Sequence, residues 1–276
     1  PFDDPGGYKF GEDGDQSLIK CGSYVGNGSA TGPEINIGWQ PQYLLIKNIN
    51  NNSAEWYIYD SMRGIPTDGD DSVLKANAAD AENTSANQYD LNPTGWKVKI
   101  DSASVNGNGN TIIYIAIRFP DGLVGKPAEL GTDVFAMDVG NSSATVPAFD
   151  SGFPVDFAIN TKPAATRDRY VASRLMGWKY LLANVSNPES SGGSQAFDSN
   201  EGFMQGTWAD TERQAWMWKR HAGFDVVTAT STLSAGQPMK HGLGKTPEMI
   251  WGKNRSTTDS WSVYHYGLNG GANPEQ

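Results

Sequence analysis

Cysteine and histidine are scarce in this sequence. Cys21 is the single cysteine, so no disulfide can form within the chain and a small domain held together by disulfides is disfavoured. The three histidines, His221, His241 and His265, all lie near the end of the chain. A zinc site needs several nitrogen or sulfur ligands at short spacing. The sequence therefore predicts no metal and no cofactor.

Positively charged residues are also few. The chain has 21 Lys and Arg against 31 Asp and Glu, a formal net charge of −10, and no run of cations that could track phosphates. No apolar stretch is long enough to span a bilayer. These absences predict that the partners include no nucleic acid and that the chain does not insert into a membrane.

Catalytic motifs are missing as well. No serine stands in a G-x-S-x-G elbow, and we predict no catalytic residues and no enzymatic activity. A carboxylate pair assembled in space would escape such a search, so a glycoside hydrolase stays open. The acidic turn Asp68-Gly-Asp70-Asp71 resembles part of a calcium loop but lacks its bidentate Glu. A solvated turn is favoured there, and calcium stays open.

What the sequence does have is a repeat. The stretch from Gly38 to Gly64 returns at Gly152 to Gly177 and at Gly244 to Gly270, each time as Gly, Pro, an apolar run, a polar turn and a second apolar run. The three copies are GWQPQYLLIKNINNNSAEWYIYDSMRG, GFPVDFAINTKPAATRDRYVASRLMG and GKTPEMIWGKNRSTTDSWSVYHYGLNG. This spacing is too long for a solenoid and fits small domains in tandem, like beads on a string.

The similarity extends beyond these copies and defines units. We predict an irregular lead-in at 1–15, two full repeats at 16–118 and 119–220, and an incomplete third repeat at 221–276. In this alignment RQAWMWKR at 213–220 corresponds to TIIYIAIR at 111–118. Short β-prone segments with frequent turn signals predict an all-β fold of tandem antiparallel β-sandwich or jelly-roll-like units.

Several local predictions follow from the pattern. The apolar run Tyr43–Ile46 predicts a strand covered on both faces, and Ser72–Glu82 is about as compatible with a helical turn as with a loop. The prolines Pro41, Pro154 and Pro247 should each begin a strand, where a missing N–H does little harm.

The nine tryptophans suggest packing in some places and recognition in others. Trp56 and Trp261 occupy equivalent positions between apolar residues and are predicted to be core; Trp216 and Trp218 share one strand face and should also pack. Trp96, Trp178 and Trp208 stand beside glycines or turns and are the candidates for exposed aromatic contacts.

These features together resemble a known family. GSYVGNGSATGP, HGLGKTPEMIWGKN with WSVYH, and TIIYIAIR leading into PDGLVGKPAELGTDVFA are similar to the tandem repeats of tail or fibre-type virion proteins of marine tailed bacteriophages, cyanophages among them. The resemblance covers the chain from about residue 16. It implies a phage structural protein and supplies no catalytic residues. In the second copy, Arg169 replaces Trp56 and Asn160-Thr161 replace Lys47-Asn48.

The expected function is therefore that of a non-enzymatic virion component on the particle surface, which attaches to the host or decorates the particle. Its expected partners are other virion proteins, further copies of itself and host cell-surface glycans. A carbohydrate-binding module, free or attached to a depolymerase, is the alternative. The first residue is Pro and the third copy stops early, so the chain is expected to be a piece of a longer polypeptide. Because Lys47, Asn48, Trp56 and Asp60 are all replaced in other copies, recognition is expected in the loops where the copies differ.

Overall fold

The computed structural model describes residues 10, 16–230 and 236–268. Apart from Phe10, the predicted lead-in lies outside the described residues, as does Gly270. The described chain is all-β, as the sequence predicts, with eighteen strands and three short 3₁₀ turns. Nowhere in this part of the chain is there a helix with the length and apolar character needed to cross a bilayer.

The first sandwich packs a six-stranded sheet, in the order β1-β9-β3-β4-β5-β6, against a three-stranded sheet, β2-β8-β7. All of its strand pairs are antiparallel. Its strands are β1 (Ile19–Val25), β2 (Glu34–Asn36), β3 (Pro41–Asn48), β4 (Tyr57–Asp60), β5 (Asp71–Lys75), β6 (Asn83–Ala86), β7 (Tyr89–Asn92), β8 (Gly95–Val98) and β9 (Thr111–Arg118).

The core of this sandwich follows from the two-residue period of its strands. In β3, Leu44 and Ile46 point inward and are fully buried, whereas their neighbours Tyr43 and Leu45 are half-buried. Tyr59 of β4, the cross-strand partner of Leu44, is fully buried beside it. The prediction that β3 is covered on both faces therefore holds fully for one face, while the other is half-buried and keeps partial access to solvent.

The second sandwich repeats this topology. Its five-stranded sheet has the order β10-β16-β12-β13-β14, and a two-stranded sheet, β11-β15, covers it. Strand for strand this is the order β1-β9-β3-β4-β5 with β2-β8 opposite. Its strands are β10 (Phe135–Val139), β11 (Phe149–Asp150), β12 (Phe157–Thr161), β13 (Tyr170–Ser173), β14 (Leu181–Leu182), β15 (Gly202–Phe203) and β16 (Gln214–Trp218).

The third copy contributes a hairpin of β17 (Met249–Gly252) and β18 (Ser262–His265). Its register aligns it with the other two copies. Met249 pairs with His265 as Tyr43 pairs with Asp60 and Phe157 with Ser173.

The glycine that opens each copy has a conformational reason. Gly38, Gly152 and Gly244 have φ values of 93°, 78° and 71°. This left-handed region is open to glycine and strained for residues that carry a Cβ. The repeat therefore retains Gly at the entrance to each hairpin because the chain turns sharply there.

The two sandwiches are joined by buried contacts and are not separate beads. Arg174 is 5% exposed, and its Nη1 donates to the carbonyl oxygens of Ser61 (3.3 Å) and Met62 (3.2 Å) in the first sandwich. Its Nε donates to Asp156 Oδ1 at 3.1 Å. Leu175, which follows it, belongs to the hydrophobic core of the first sandwich. The 3₁₀ turn Arg174–Met176 thus carries side chains of the second sandwich into the first.

Three local predictions fail. Ser72–Glu82 contains no helix; β5 occupies its start, because Val73 is needed in the core. Pro41 begins β3, but Pro154 and Pro247 precede β12 and β17 by a few residues. Trp56 is only half-buried and lies just before β4. Side chains alternate along a strand, and in β4 it is Tyr57 and Tyr59 that point into the core. Trp261 is also half-buried, packs at the edge of a small cluster and donates its Nε1 to Leu182 O at 2.9 Å.

Candidate functional site

The three tryptophans predicted as exposed contacts fall in three different environments. Trp96 is fully buried and meets Tyr114 edge to face at 4.9 Å, so that prediction is wrong: the alternation of β8 turns Trp96 and Val98 into the core. Trp178 is exposed, with 53% of its surface accessible. Trp208 is half-buried and lies in the 3₁₀ turn Gly206–Ala209. Trp208 packs against two half-buried tyrosines, Tyr170 and Tyr180.

This cluster is aromatic. The Tyr170 ring lies 5.2 Å from that of Tyr180 and 5.3 Å from that of Trp208, centroid to centroid, and the last pair is edge to face. Tyr180 and Trp208 complete the triangle at 6.1 Å. All three side chains are half-buried. They therefore offer aromatic surface to solvent while being held in place by one another.

Arg213 lies against this triangle. Its guanidinium carbon is 5.1 Å from the centroid of the Tyr170 ring and 5.6 Å from that of Trp208. The residue is 8% exposed, and its Nη1 donates to Asn160 Oδ1 at 3.1 Å. No carboxylate of the described residues forms a salt bridge with it; the nearby Asp210 is paired with Lys162 at 2.8 Å. Arg213 is thus a nearly buried cation held by rings and one amide.

Two buried polar side chains at this place have atoms without a partner among the described residues. They are Arg213, through its Nε, and Gln195, through both amide atoms. Gln195 is 1% exposed and lies beside Tyr180: a Cβ built on Gly193 would be 2.8 Å from Gln195 Nε2 and 3.1 Å from Tyr180 Cδ1. We refer to Tyr170, Tyr180, Gln195, Trp208 and Arg213 as the Arg213 patch.

The strand register shows what stands here in the first sandwich. Aligning β12 and β16 with β3 and β9 through their shared neighbours puts Asn160 at the position of Ile46. Continued by one residue, the same register puts Arg213 at the position of Ile112. Both isoleucines are fully buried in the first core. A hydrogen-bonded Asn–Arg pair has therefore replaced two core isoleucines.

Such a replacement is costly for stability. A buried donor or acceptor without a partner costs about 1–3 kcal/mol, and a buried charge costs more. Local violations of core chemistry of this kind concentrate at functional sites. The unmet hydrogen-bonding capacity lies in buried atoms, Arg213 Nε and the Gln195 amide, so a group that satisfied it would have to enter between the rings.

The residue types of the patch can each contact a different part of an acidic sugar. Aromatic faces pack against the C–H faces of a sugar ring, amides bond its hydroxyls, and an arginine fork matches a carboxylate in two parallel hydrogen bonds. Guanidinium is also more weakly hydrated than ammonium, so it desolvates readily on binding.

Other candidate sites are weaker. In the acidic turn, Asp68 pairs with Lys99 at 2.5 Å, and Asp71 Oδ2 accepts from the backbone of Gln88 and Tyr89. Within the described residues no three His, Cys, Asp or Glu side chains are grouped to hold a metal ion.

A groove of about 510 Å³ runs between β7–β8 and residues 229–230 and 237–240. It has no aromatic lining among the described residues, and its acids are already engaged, as in the pairing of Asp90 with Lys99 at 2.7 Å. It offers less to a ligand than the Arg213 patch does.

The fold and the site thus define a class of protein: tandem antiparallel β-sandwiches with an aromatic and cationic patch on the second one. Residues 7–119 and 215–274 match the sequence model of a family described as a domain of unknown function, DUF7483. The matched segments make up more than half of the chain, which belongs to this family. No curated protein and no solved structure matches the chain. The Arg213 patch lies entirely in 120–214, between the matched segments.

Sequence comparison places Arg213 and its partner Asn160 one residue out of register. It paired Arg213 with Thr111 and Asn160 with Lys47, whereas the second sandwich has one additional residue between Pro154 and its first core position. A usable signal was present: in QAWMW the small and flexible residues Ala215 and Met217 alternate with tryptophans, and Arg213 shares their parity. That places an arginine on the core face of a strand.

Proposed function

We propose that this chain is a non-enzymatic structural component of a bacteriophage virion, of tail or fibre type, which contacts acidic glycans of the host surface through the Arg213 patch. The observation that carries the glycan contact is the Asn160–Arg213 pair at two positions that hold buried isoleucines in the first sandwich. The virion assignment depends on the sequence resemblance.

The joint between the sandwiches supports a structural role. Arg174 bonds backbone carbonyls of both sandwiches, including Phe197 O at 2.8 Å and Ser61 O at 3.3 Å. Arg255, from the third copy, donates its Nη2 to Thr67 O at 2.9 Å and its Nε to Glu189 at 2.7 Å. Contacts of this kind would hold the units as a stiff arm that presents the patch at a fixed angle. Several copies of such an arm would add avidity to weak individual contacts.

Binding to a glycan array tests the patch. We expect the purified chain to bind glycans that contain uronic or other carboxylate-bearing sugars and to bind their neutral or carboxyl-reduced counterparts at least about tenfold less well, the equivalent of about 1.4 kcal/mol. Arg213→Met should abolish this preference, since methionine keeps the apolar stem and removes the fork. Trp178→Ala is the matched control because it removes an exposed tryptophan outside the patch.

The outcomes separate the hypotheses. Equal binding by the wild type and Arg213→Met, or loss of binding only in Trp178→Ala, would overturn the assignment of the site. A decorating or scaffolding role is favoured if the wild type and the variants bind no glycan while antibodies against the chain label the particle surface in electron micrographs. If the chain binds glycans but the antibodies label no particles, the alternative applies: a carbohydrate-binding module of a depolymerase.

A further inference from the structure

Strand β10 forms one edge of the large sheet of the second sandwich. It pairs with β16 on one side, and in the part of the chain that the structure describes no strand pairs with its other side. The first sandwich has β1 at the same place in its strand order, also at the edge. An open edge at this place is therefore a property of the sandwich topology that the two units share.

The backbone of β10 directs three donors and three acceptors to this edge. Gly140 N donates to Arg213 O at 3.1 Å and Lys219 N donates to Val134 O at 2.9 Å, so at both ends of β10 an even-numbered residue is bonded toward β16. Hydrogen-bonded positions alternate along an antiparallel ladder. The N–H and C=O groups of the odd-numbered residues 135, 137 and 139 therefore point to the open side, as in an edge strand that templates another.

The same three residues, Phe135, Met137 and Val139, carry the outward side chains of the strand. Ala136 packs against the core of the second sandwich, so the residues on either side of it face outward. Met137 is 63% exposed and Val139 is 50% exposed. Met137 also lies opposite the half-buried Trp216, so the apolar surface of the edge continues onto the neighbouring strand.

The equivalent edge of the first sandwich is less apolar. Through the shared register, Ile19, Cys21 and Ser23 of β1 stand at the positions of the three outward residues of β10. The second sandwich thus has methionine and valine where the first has cysteine and serine. Large apolar side chains grouped at an accessible edge are typical of an interaction surface.

We propose that β10 pairs with β10 of a second copy of this chain in an antiparallel, two-fold symmetric dimer centred on Met137. The strand is self-complementary in this register: Met137 lies opposite the partner's Met137, and Phe135 lies opposite the partner's Val139. These are the residues whose backbone groups face the open side, so each pair exchanges two hydrogen bonds. The two large sheets join into one continuous sheet with an apolar outer face. This interface does not depend on the glycan contact proposed above.

Charge does not oppose this pairing. Asp138 is the one charged residue of β10, and its Oδ2 accepts from Asp150 N of β11 at 2.8 Å, on the core side of the sheet. In the two-fold register Asp138 stands opposite the partner's Ala136, so like charges do not meet directly. Pairing of β10 with β1 of another copy fits less well, because it sets Ser23 among the apolar residues and is heterologous, which gives open chains instead of a closed dimer.

Sedimentation equilibrium of the full chain tests the dimer, at protein concentrations from about 1 μM to about 1 mM, the range of weak to moderate affinities. We expect the wild type to shift from monomer to dimer within this range. Met137→Lys places two ammonium groups opposite each other at the axis and should raise the dimer Kd at least about tenfold. Val25→Lys is the matched control, because it adds the same charge at a residue of β1 that is 60% exposed, and it should leave the Kd unchanged.

Disulfide trapping tests the register. On a Cys21→Ser background, Met137→Cys should give a disulfide-linked dimer with oxidised glutathione, because hydrogen-bonded residues opposite each other have Cα atoms about 5.5 Å apart, within the range that a disulfide spans. Val25→Cys on the same background should stay unlinked.

The outcomes decide between arrangements. A wild type that stays monomeric throughout, or a dimer that Met137→Lys leaves unchanged, would overturn the proposal. Loss of the dimer in Val25→Lys as well would also overturn it, since β10 would then pair with β1. A wild-type dimer in which Met137→Cys forms no disulfide would overturn the two-fold register.

Discussion

The two sandwiches share one topology and differ in what fills equivalent positions. The first has Leu44, Ile46 and Ile112 in its core, all fully buried. The second has Ala158, Asn160 and Arg213 at the same register positions. Strand order depends on backbone pairing and on which residues face inward, so it survives the exchange of bulk for polarity. A repeated fold can therefore keep one unit for stability and modify another for recognition.

The largest effect on stability is expected from a substitution at Arg174, in the joint between the two sandwiches. Arg174→Met should lower the free energy of unfolding by about 3–5 kcal/mol, because it breaks a buried ion pair and removes the bonds to Ser61 and Met62. The Asp156 carboxylate then keeps only its contacts with Arg220, a 3.8 Å ion pair and a backbone N–H donor. Urea unfolding monitored by tryptophan fluorescence measures the change. Arg167→Met, at an exposed position, should change stability by less than about 0.5 kcal/mol. Similar losses in the two variants would mean that the joint contributes little.

The next prediction compares one position in two copies. Leu44→Ala should cost about 2–5 kcal/mol, as for a fully buried leucine. Ile250→Ala should cost less than about 1 kcal/mol, because half of its side chain is already in water. The same unfolding experiment compares them. Equal costs would show that Ile250 is covered in solution.

A third prediction makes the second sandwich resemble the first. The double variant Asn160→Ile, Arg213→Met should be as stable as the wild type or more stable by about 1–4 kcal/mol, as when buried charged groups are replaced by apolar ones of similar volume. The midpoint of thermal unfolding measures this. A loss comparable to that of Leu44→Ala would instead make the polar pair a structural requirement.

The smallest effect concerns pH. Burial raises the pKa of Asp71 well above its usual value of 3.8, and its Oδ1 has no partner among the described residues. The folded state then holds this proton to a higher pH than the unfolded state does. This group's contribution to stability therefore falls as pH rises from about 3.8 through the raised pKa.

Asp71→Asn should flatten that slope. Unfolding midpoints at a series of pH values from 4 to about 8 measure it, with Asp101→Asn, at an exposed position, as the control. Leu181 of the second sandwich aligns with Leu74 of the first. Three residues earlier, the exposed Trp178 therefore stands at the position of Asp71. The second sandwich is expected to have no counterpart of this titration. A wild-type slope that Asp71→Asn leaves unchanged would contradict the assignment.

Much of the fold could be predicted from the repeat itself. The all-β class and the hairpins at Gly38, Gly152 and Gly244 follow from glycine conformation and two-residue alternation, which are local properties of the chain. At Ser72–Glu82, where the sequence leaves a helical turn and a loop equally open, the structure begins with a strand because Val73 packs in the core. Local propensity does not depend on which side chains the core requires.

The Arg213 patch was less accessible to sequence reasoning. Trp208 was selected from its turn, but Trp96 was selected by the same criterion and is core. Only parity along a paired strand distinguishes the inside from the outside. Gln195, Tyr170 and Arg213 come from a loop and two strands, and no spacing in the sequence brings them together.

The sequence by itself determined the β class, the repeat and its acidic, cysteine-poor character, because these are set by composition and by short-range periodicity. The tertiary structure decided that the sandwiches share a buried joint at Arg174 and that Arg213 stands at the position of an isoleucine. It also decided that β10 presents an apolar open edge in the described chain. All three depend on pairing between distant segments, where a shift of one residue reverses which side chains meet water.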